Sequence, residues 1–166
     1  MSSRFVTNVV QDKHGFIWIG TDYGINRFDG KDFKVFNAAS HKLRVNSRSF
    51  LHLDPNGKLW INNDQLQVDI LDPVTETVTP LEQLAPELAG KSVLLIRNDR
   101  LGEIWGIVNH EYAFRYDGKL QYIAEPPPKG LSRPFNLKFS TPWGTLFLAD
   151  GLGIKEFDIA SKQLNE

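Results

Sequence analysis

Short apolar runs, broken by acidic and glycine-bearing turns, recur along the whole chain. At the start, Phe5 to Gln11, Phe16 to Thr21, Ile25 to Phe28 and Phe33 to Phe36 read as four successive strands joined by tight turns. The pattern then returns three times in the same register. The copies run from Asp12 to Gly30, Asp54 to Asp72, Asp99 to Gly118 and Thr141 to Asp158. Each holds a turn glycine, an aromatic three residues later, and an apolar strand closed by aspartate. The turn glycines Gly15, Gly57, Gly102 and Gly144 lie 42, 45 and 42 residues apart. That period suits the blade of a β-propeller, in which each blade is a four-stranded antiparallel meander. The expected fold is therefore all-β, a single partial propeller over residues 1–166 with repeats near 4–37, 46–80, 91–124 and 133–166.

Two columns of large side chains follow from the register. Trp18, Trp60, Trp105 and Phe147 stand three residues after each turn glycine; Phe28, Leu71, Tyr116 and Phe157 directly precede each closing aspartate. Such columns suit packing between radially arranged sheets, with a stacking platform for a sugar or base as the alternative. In the Asp-x-x-Gly turns at Asp12, Asp54 and Asp99 the carboxylate bonds backbone amides and the glycine accepts positive φ. One carboxylate per turn, about 40 residues from the next, does not make a calcium loop.

Composition changes this picture little. With 41% hydrophobic and 11% aromatic residues the chain can bury a core. The 19 basic and 20 acidic residues nearly cancel, without a basic block, so nucleic acid is not expected as a partner. There is no cysteine, which removes disulfides and thiolate metal sites. No run of about 18 apolar residues spans a membrane. Residues Met1 to Arg4 carry no signal-peptide stretch, leaving a cytosolic protein or a piece of a longer chain. His14, His41, His52 and His110 show no metal-ligand spacing. Asn109-His110-Glu111 reads as an acid/base pair or as a polar turn, and Pro126 to Pro128 as a stiff connector. No catalytic residue, metal site or cofactor is expected.

The stretch from Val6 to Phe36 resembles the two-component regulator propeller repeat. Asp12, Gly15, Trp18, Gly20, Thr21, Gly24, Arg27, Phe28, Asp29, Gly30 and Phe33 match its pattern position by position. The later copies match in part. Copy two has Asn62-Asn63 in place of Gly-Thr, copy three has Ile107-Val108, and copy four has Phe147 for the tryptophan, with Trp143 in its turn. The resemblance implies an arc of a larger, commonly seven-bladed propeller. It further implies a periplasmic sensor region of a Bacteroidetes-type hybrid two-component system. Such a sensor detects polysaccharide-derived oligosaccharides and signals to a membrane-anchored histidine kinase outside these residues. Related repeats precede diguanylate cyclases. A protein-interaction propeller and a propeller lyase or quinoprotein enzyme remain as other readings. The partners expected are an oligosaccharide or other small ligand, further blades, the kinase, and a second copy of the chain through exposed end faces.

Meander topology locates a candidate site. Turns between strands one and two, and three and four, share one rim, where the repeats agree. Turns between strands two and three share the other rim with the inter-blade connectors, and there the repeats diverge. The candidate ligand-binding residues are Tyr23, Asn62, Asn63, Asp64, Asn109, His110 and Tyr112 on that irregular rim. The connectors Ala38 to Asn46, Pro80 to Gly90 and Ala124 to Arg133 belong to it as well.

Overall fold

The structure is a computed structural model and describes residues 2–44, 48–98, 103–109, 112–122, 136–140, 145–150, 153–158, 161 and 163–165. The chain divides into two compact units, Met1–Ala89 and Gly90–Glu166. The first unit holds β1 (Val6–Gln11), β2 (Ile17–Thr21), β3 (Gly24–Phe28) and β4 (Phe33–Phe36), then α1 (Ala38–His41). It continues with β5 (Ser49–Leu53), β6 (Leu59–Asn63), β7 (Val68–Leu71), β8 (Val78–Pro80) and α2 (Leu81–Leu84), closed by a 3-10 turn over Pro86–Leu88. The second unit holds β9 (Val93–Asn98), β10 (Ile104–Val108), β11 (Tyr112–Tyr116) and β12 (Leu120–Tyr122). Its second sheet is β13 (Asn136–Ser140), β14 (Thr145–Asp150), β15 (Gly153–Asp158) and β16 (Gln163–Asn165). Every sheet is a four-stranded meander with strands in sequence order and every pairing antiparallel. These are the four expected blades, numbered one to four below.

Register divides each blade into two faces, because successive side chains in a strand point opposite ways. In blade one, Trp18 pairs with Arg27 and Gly20 with Ile25, which in turn pairs with Phe36. This trailing face packs on the leading face of blade two, formed by Leu51, Leu59, Ile61 and Leu71. Trp18, Ile25, Phe36 and those four leucine and isoleucine side chains form one buried cluster, joined by Leu43 from the connector. The first aromatic column is fully buried at Trp18, Trp60 and Trp105. In the second column Leu71 is fully buried. Phe28 stays half-buried and stacks on Phe33, ring centroids 4.7 Å apart, and Tyr116 is half-buried too.

Polar groups close the seam between blades one and two. A β-bulge falls at Thr7, since Val6 pairs with Thr21 and Asn8 with Gly20. The extra residue turns two consecutive side chains toward β5. Thr7 Oγ1 donates to the Ser49 carbonyl. The Asn8 carboxamide donates to the Leu51 carbonyl at 2.8 Å and accepts from the Leu51 N–H at 3.0 Å. Backbone approach is so close here that a Cβ on Gly20 would lie 2.4 Å from the Ser49 carbonyl oxygen. Across the outer part of the seam, Arg27 lies over the Phe16 ring at 4.7 Å and pairs with Glu76 of blade two at 3.3 Å. Lys34 and His41 approach the same Glu76 carboxylate at 2.5 and 3.8 Å. The Lys34 hydrogen bond holds the Glu76 carboxyl below its usual range, with Arg27 adding to the effect.

The D-x-x-G-x-x-W spacing has a joint cause that the residues read singly do not reveal. Asp12 Oδ1 accepts from the backbone N–H groups of His14 and Phe16, at 2.9 and 3.1 Å. Its second oxygen accepts from the Trp18 indole N–H at 2.7 Å. Asp54 repeats the arrangement with Asn56, Lys58 and the Trp60 indole at 3.1 Å. One buried carboxylate thus shapes the hairpin and orients the tryptophan of the next strand. Copy four has Thr141 and Phe147 at the two positions, so it lacks carboxylate and indole together. Asp99 and Thr141 lie outside the described residues. The closing aspartates cap their turns whatever the turn length. Asp29 accepts from Lys31 and Asp32, Asp72 from Val74 and Thr75, Asp117 from Lys119, and Asp158 from Ser161.

Candidate functional site

The irregular rim of the first unit contains the β2–β3 turn, the start of β1, and the segment leading into β5. Thr21 shapes the turn: its hydroxyl donates to the Gly24 carbonyl at 2.8 Å and accepts from the Tyr23 N–H at 3.2 Å. Gly24 is needed there, with φ of +107° and the Phe36 carbonyl 2.4 Å from any Cβ. The residues before β1 are stitched across the same turn. Ser2 bonds Asn26 and Thr21, and Ser3 Oγ donates to Asp22 Oδ1 at 2.8 Å. Between these elements and β5 lies an open cavity of about 470 Å³, lined by Phe5, Val6, Thr7, Asp22, Arg48 and Phe50.

Its lining mixes two chemistries. Phe5 and Phe50 are exposed and offer flat apolar faces. Asp22 supplies a hydrogen-bond-accepting carboxylate and Arg48 a fork of donors. Tyr23, also exposed, follows Asp22 directly. Blade comparison explains why Phe50 stands there. It pairs with Asn62 as Asn8 pairs with Gly20, so it holds the place of Asn8 in blade two. Where blade one spends an amide on its neighbour's backbone, blade two presents an aromatic ring at the cavity.

The other sequence-predicted residues are placed differently. Asn62 and Asn63 are buried, and their amides serve the turn itself. Asn62 donates to the Gln67 carbonyl at 2.9 Å. Asn63 accepts from the N–H groups of Gln65 and Gln67, both at 3.0 Å, and donates to the Arg44 carbonyl at 2.7 Å. They replace the Gly-Thr of copy one as turn-formers and point no polar group outward for a ligand. Asp64 is exposed on the same turn. Asn109 belongs to the second unit, where it takes φ of 50° and bonds Ser92 through backbone and side chain at 2.8 and 3.0 Å. Tyr112 opens β11, and His110 lies outside the described residues.

The connectors are also more built than their composition suggests. Asn37 and Ser40 form a reciprocal capping box on α1. Arg44 is clamped by Asp69 at 2.7 Å, by the Val68 carbonyl at 2.7 Å and by Glu82. Burial opposes its charge, but the Glu82 and Asp69 carboxylates outweigh that and raise its pKa. Leu81, Ala85 and Leu88 bury the Pro80–Gly90 connector. Phe5, Arg48 and Phe50 escaped sequence reasoning because each lies inside or beside a strand, away from the variable turns. Among the described residues no three His, Cys, Asp or Glu side chains gather to hold a metal.

Residues 1–23 match the two-component regulator propeller family. The matched span covers the D-x-x-G-x-x-W unit and the Gly20-Thr21 step and ends at the exposed Tyr23. It includes four of the cavity-lining residues, Phe5, Val6, Thr7 and Asp22. No curated protein matches the sequence. Among solved structures, the extracellular domain of a putative hybrid two-component system from B. thetaiotaomicron aligns with a TM-score of 0.61 at 12% identity. The alignment covers 100% of this chain and 24% of that one. The extracellular domain of a putative one-component system from the same organism gives 0.52 at 15% identity, covering 100% and 29%. A catalytically inactive virginiamycin B lyase from Staphylococcus aureus, with quinupristin, gives 0.55 at 15% identity, covering 93% and 55%. The chain thus spans about half of the lyase and about a quarter of each extracellular domain. These likenesses are of fold: the chain is built of β-propeller blades, like an arc of a larger propeller.

Proposed function

We propose that this chain is part of the extracytoplasmic ligand-recognition propeller of a two-component signalling protein. In this reading it detects oligosaccharides released from polysaccharides and passes the signal to a kinase outside these residues. The observation that carries the reading is the cavity on the irregular rim, lined in part by the span that matches the regulator-propeller family. Phe5 and Phe50 suit stacking on the apolar faces of sugar rings, while Asp22, Arg48 and Tyr23 suit the hydroxyls around their edges. The B. thetaiotaomicron neighbours, described as extracellular domains of signalling systems, support the compartment and the class of function.

Calorimetric titration of a panel of plant and host glycan oligosaccharides tests this. The expected outcome is saturable binding by the native chain, abolished in Phe50→Ala and Arg48→Ala and weakened in Tyr23→Ala, with unchanged melting temperatures. Equal binding by the variants would remove the cavity as the site. The absence of any binding oligosaccharide would remove the ligand class. Product analysis of the same mixtures separates sensor from lyase, because a lyase consumes its oligosaccharide.

A further inference from the structure

Arg27, Arg44 and Arg115 each come with a carboxylate of this chain. Arg27 pairs with Glu76, Arg44 with Asp69 and Glu82, and Arg115 with Glu103 and Asp117. Arg48 is the contrast. It is exposed, lines the cavity of about 470 Å³, and makes no hydrogen bond or ion pair with any of the described residues. Asp22 lines the same cavity, yet its Oδ1 accepts from Ser3 Oγ at 2.8 Å and no ion pair joins it to Arg48. A guanidinium with all its donors unspent thus faces the cavity.

The strand sets where that guanidinium stands relative to Phe50. Arg48, Ser49 and Phe50 alternate exposed, buried, exposed, as an extended segment requires. Ser49 turns inward and donates its hydroxyl to the Thr21 carbonyl at 3.1 Å. Arg48 and Phe50 therefore rise on the same side of the chain, about 7 Å apart along it. A pyranose ring stacked on Phe50 carries its C6 substituent at the ring edge, within reach of a side chain as long as arginine. A C6 hydroxymethyl group offers the fork a neutral acceptor. A C6 carboxylate accepts two parallel, charge-assisted hydrogen bonds and matches the guanidinium plane.

We propose, resting on the oligosaccharide reading of this cavity, that the ligand is an acidic oligosaccharide containing a uronic acid. The uronate ring lies on Phe50, and the Arg48 guanidinium holds its carboxylate bidentately. Asp22, its charge partly answered by Ser3, accepts from sugar hydroxyls. Arg48 is then the residue that separates a uronate from the neutral sugar of the same linkage.

Titration of galacturonate and glucuronate oligosaccharides into the whole chain, each beside its carboxyl-reduced neutral counterpart, tests the proposal. The native chain is expected to bind at least one uronate roughly ten- to a hundredfold more tightly than its reduced form, the worth of a charge-assisted contact. Arg48→Gln, at an exposed position, is expected to bring that ratio within about threefold, leaving a neutral hydrogen bond for either form. Ligand-observed NMR follows the weak binding that remains. Arg48→Lys keeps the charge without the fork, and its ratio is expected to fall between the two. Equal affinity for acid and reduced forms, or binding of neutral oligosaccharides alone, overturns the acidic ligand and leaves the oligosaccharide reading standing. Binding of neither class removes both. A native ratio in Arg48→Gln overturns Arg48 as the residue that reads the carboxylate. If Arg48→Gln fails to fold, Arg48→Lys decides: a ratio equal to the native one overturns the bidentate contact.

Discussion

The two rims of the first unit use the same chemistry to opposite ends. On the hairpin rim, Asp12 and Asp54 spend both carboxylate oxygens internally, on two backbone N–H groups and an indole. On the opposite rim, Asn63 folds its turn through N–H groups two and four residues on, as those aspartates do. Yet a few residues away Phe5, Asp22, Arg48 and Phe50 surround an open cavity. The difference teaches that variation between repeats is a poor measure of availability. Blade two diverges at Asn62-Asn63 because amides took over a structural task from Gly-Thr. The open chemistry lies where a strand position changed its job, from Asn8 to Phe50.

Four tests sharpen that contrast, from the largest expected effect to the smallest. Trp60→Ala empties a fully buried site and is expected to cost about 3–5 kcal/mol, read as a lowered midpoint in chemical denaturation. A midpoint equal to the native one would break the packing role of the aromatic column. Next, Asp12→Ala and Asn63→Ala are each expected to cost about 2–3 kcal/mol, because each strands buried N–H donors. Similar losses on both rims would establish Asn63 as a turn-former; a native midpoint for Asn63→Ala alongside lost ligand binding would return it to the site. The Asp12–Trp18 pair is expected to be coupled, so that Trp18→Phe costs less in the Asp12→Ala background. Smallest is the seam ion pair. Lys34 and Arg27 hold the Glu76 carboxyl low, so its contribution is present above the ordinary glutamate pKa and is lost as pH falls through the lowered one. The melting difference between native protein and Glu76→Gln is therefore expected to be greatest near neutral pH and to close in acid. It stays within about 1 kcal/mol and shrinks with salt. A difference independent of pH would remove the charge from the seam.

Much of the fold was legible in the chain because it is repeated. Strands at 33–36 fell where they were expected, and the others shifted by a residue at one end. The Trp column and the Asp turns were each readable, but their union was not, since a hydrogen bond between residues six apart leaves no mark in propensity. Nor was the bulge at Thr7 visible, because it depends on what β5 presents to β1. The helical turns at Ala38–His41 and Leu81–Leu84 hid in segments that read as loops. Of the candidate site, the β2–β3 turn with Tyr23 was legible as irregular and polar. Phe50 was not, because an exposed aromatic within a strand looks like any alternating position until the neighbouring blade is in place; Phe5 and Arg48, each one residue before a strand, carried no signal of their own.

The Asn8 carboxamide carries one last consequence. By taking both the N–H and the C=O of Leu51, it behaves as a one-residue surrogate strand laid along the free edge of the second sheet. A bare edge of that kind is a template for pairing with stray chains, and here Asn8, with Thr7 on the Ser49 carbonyl, blunts it. Its protection arrives only with the preceding blade. Blade two expressed without blade one would therefore be a sticky fragment, and the order in which the blades emerge during synthesis, first before second, keeps that edge covered from the moment it forms.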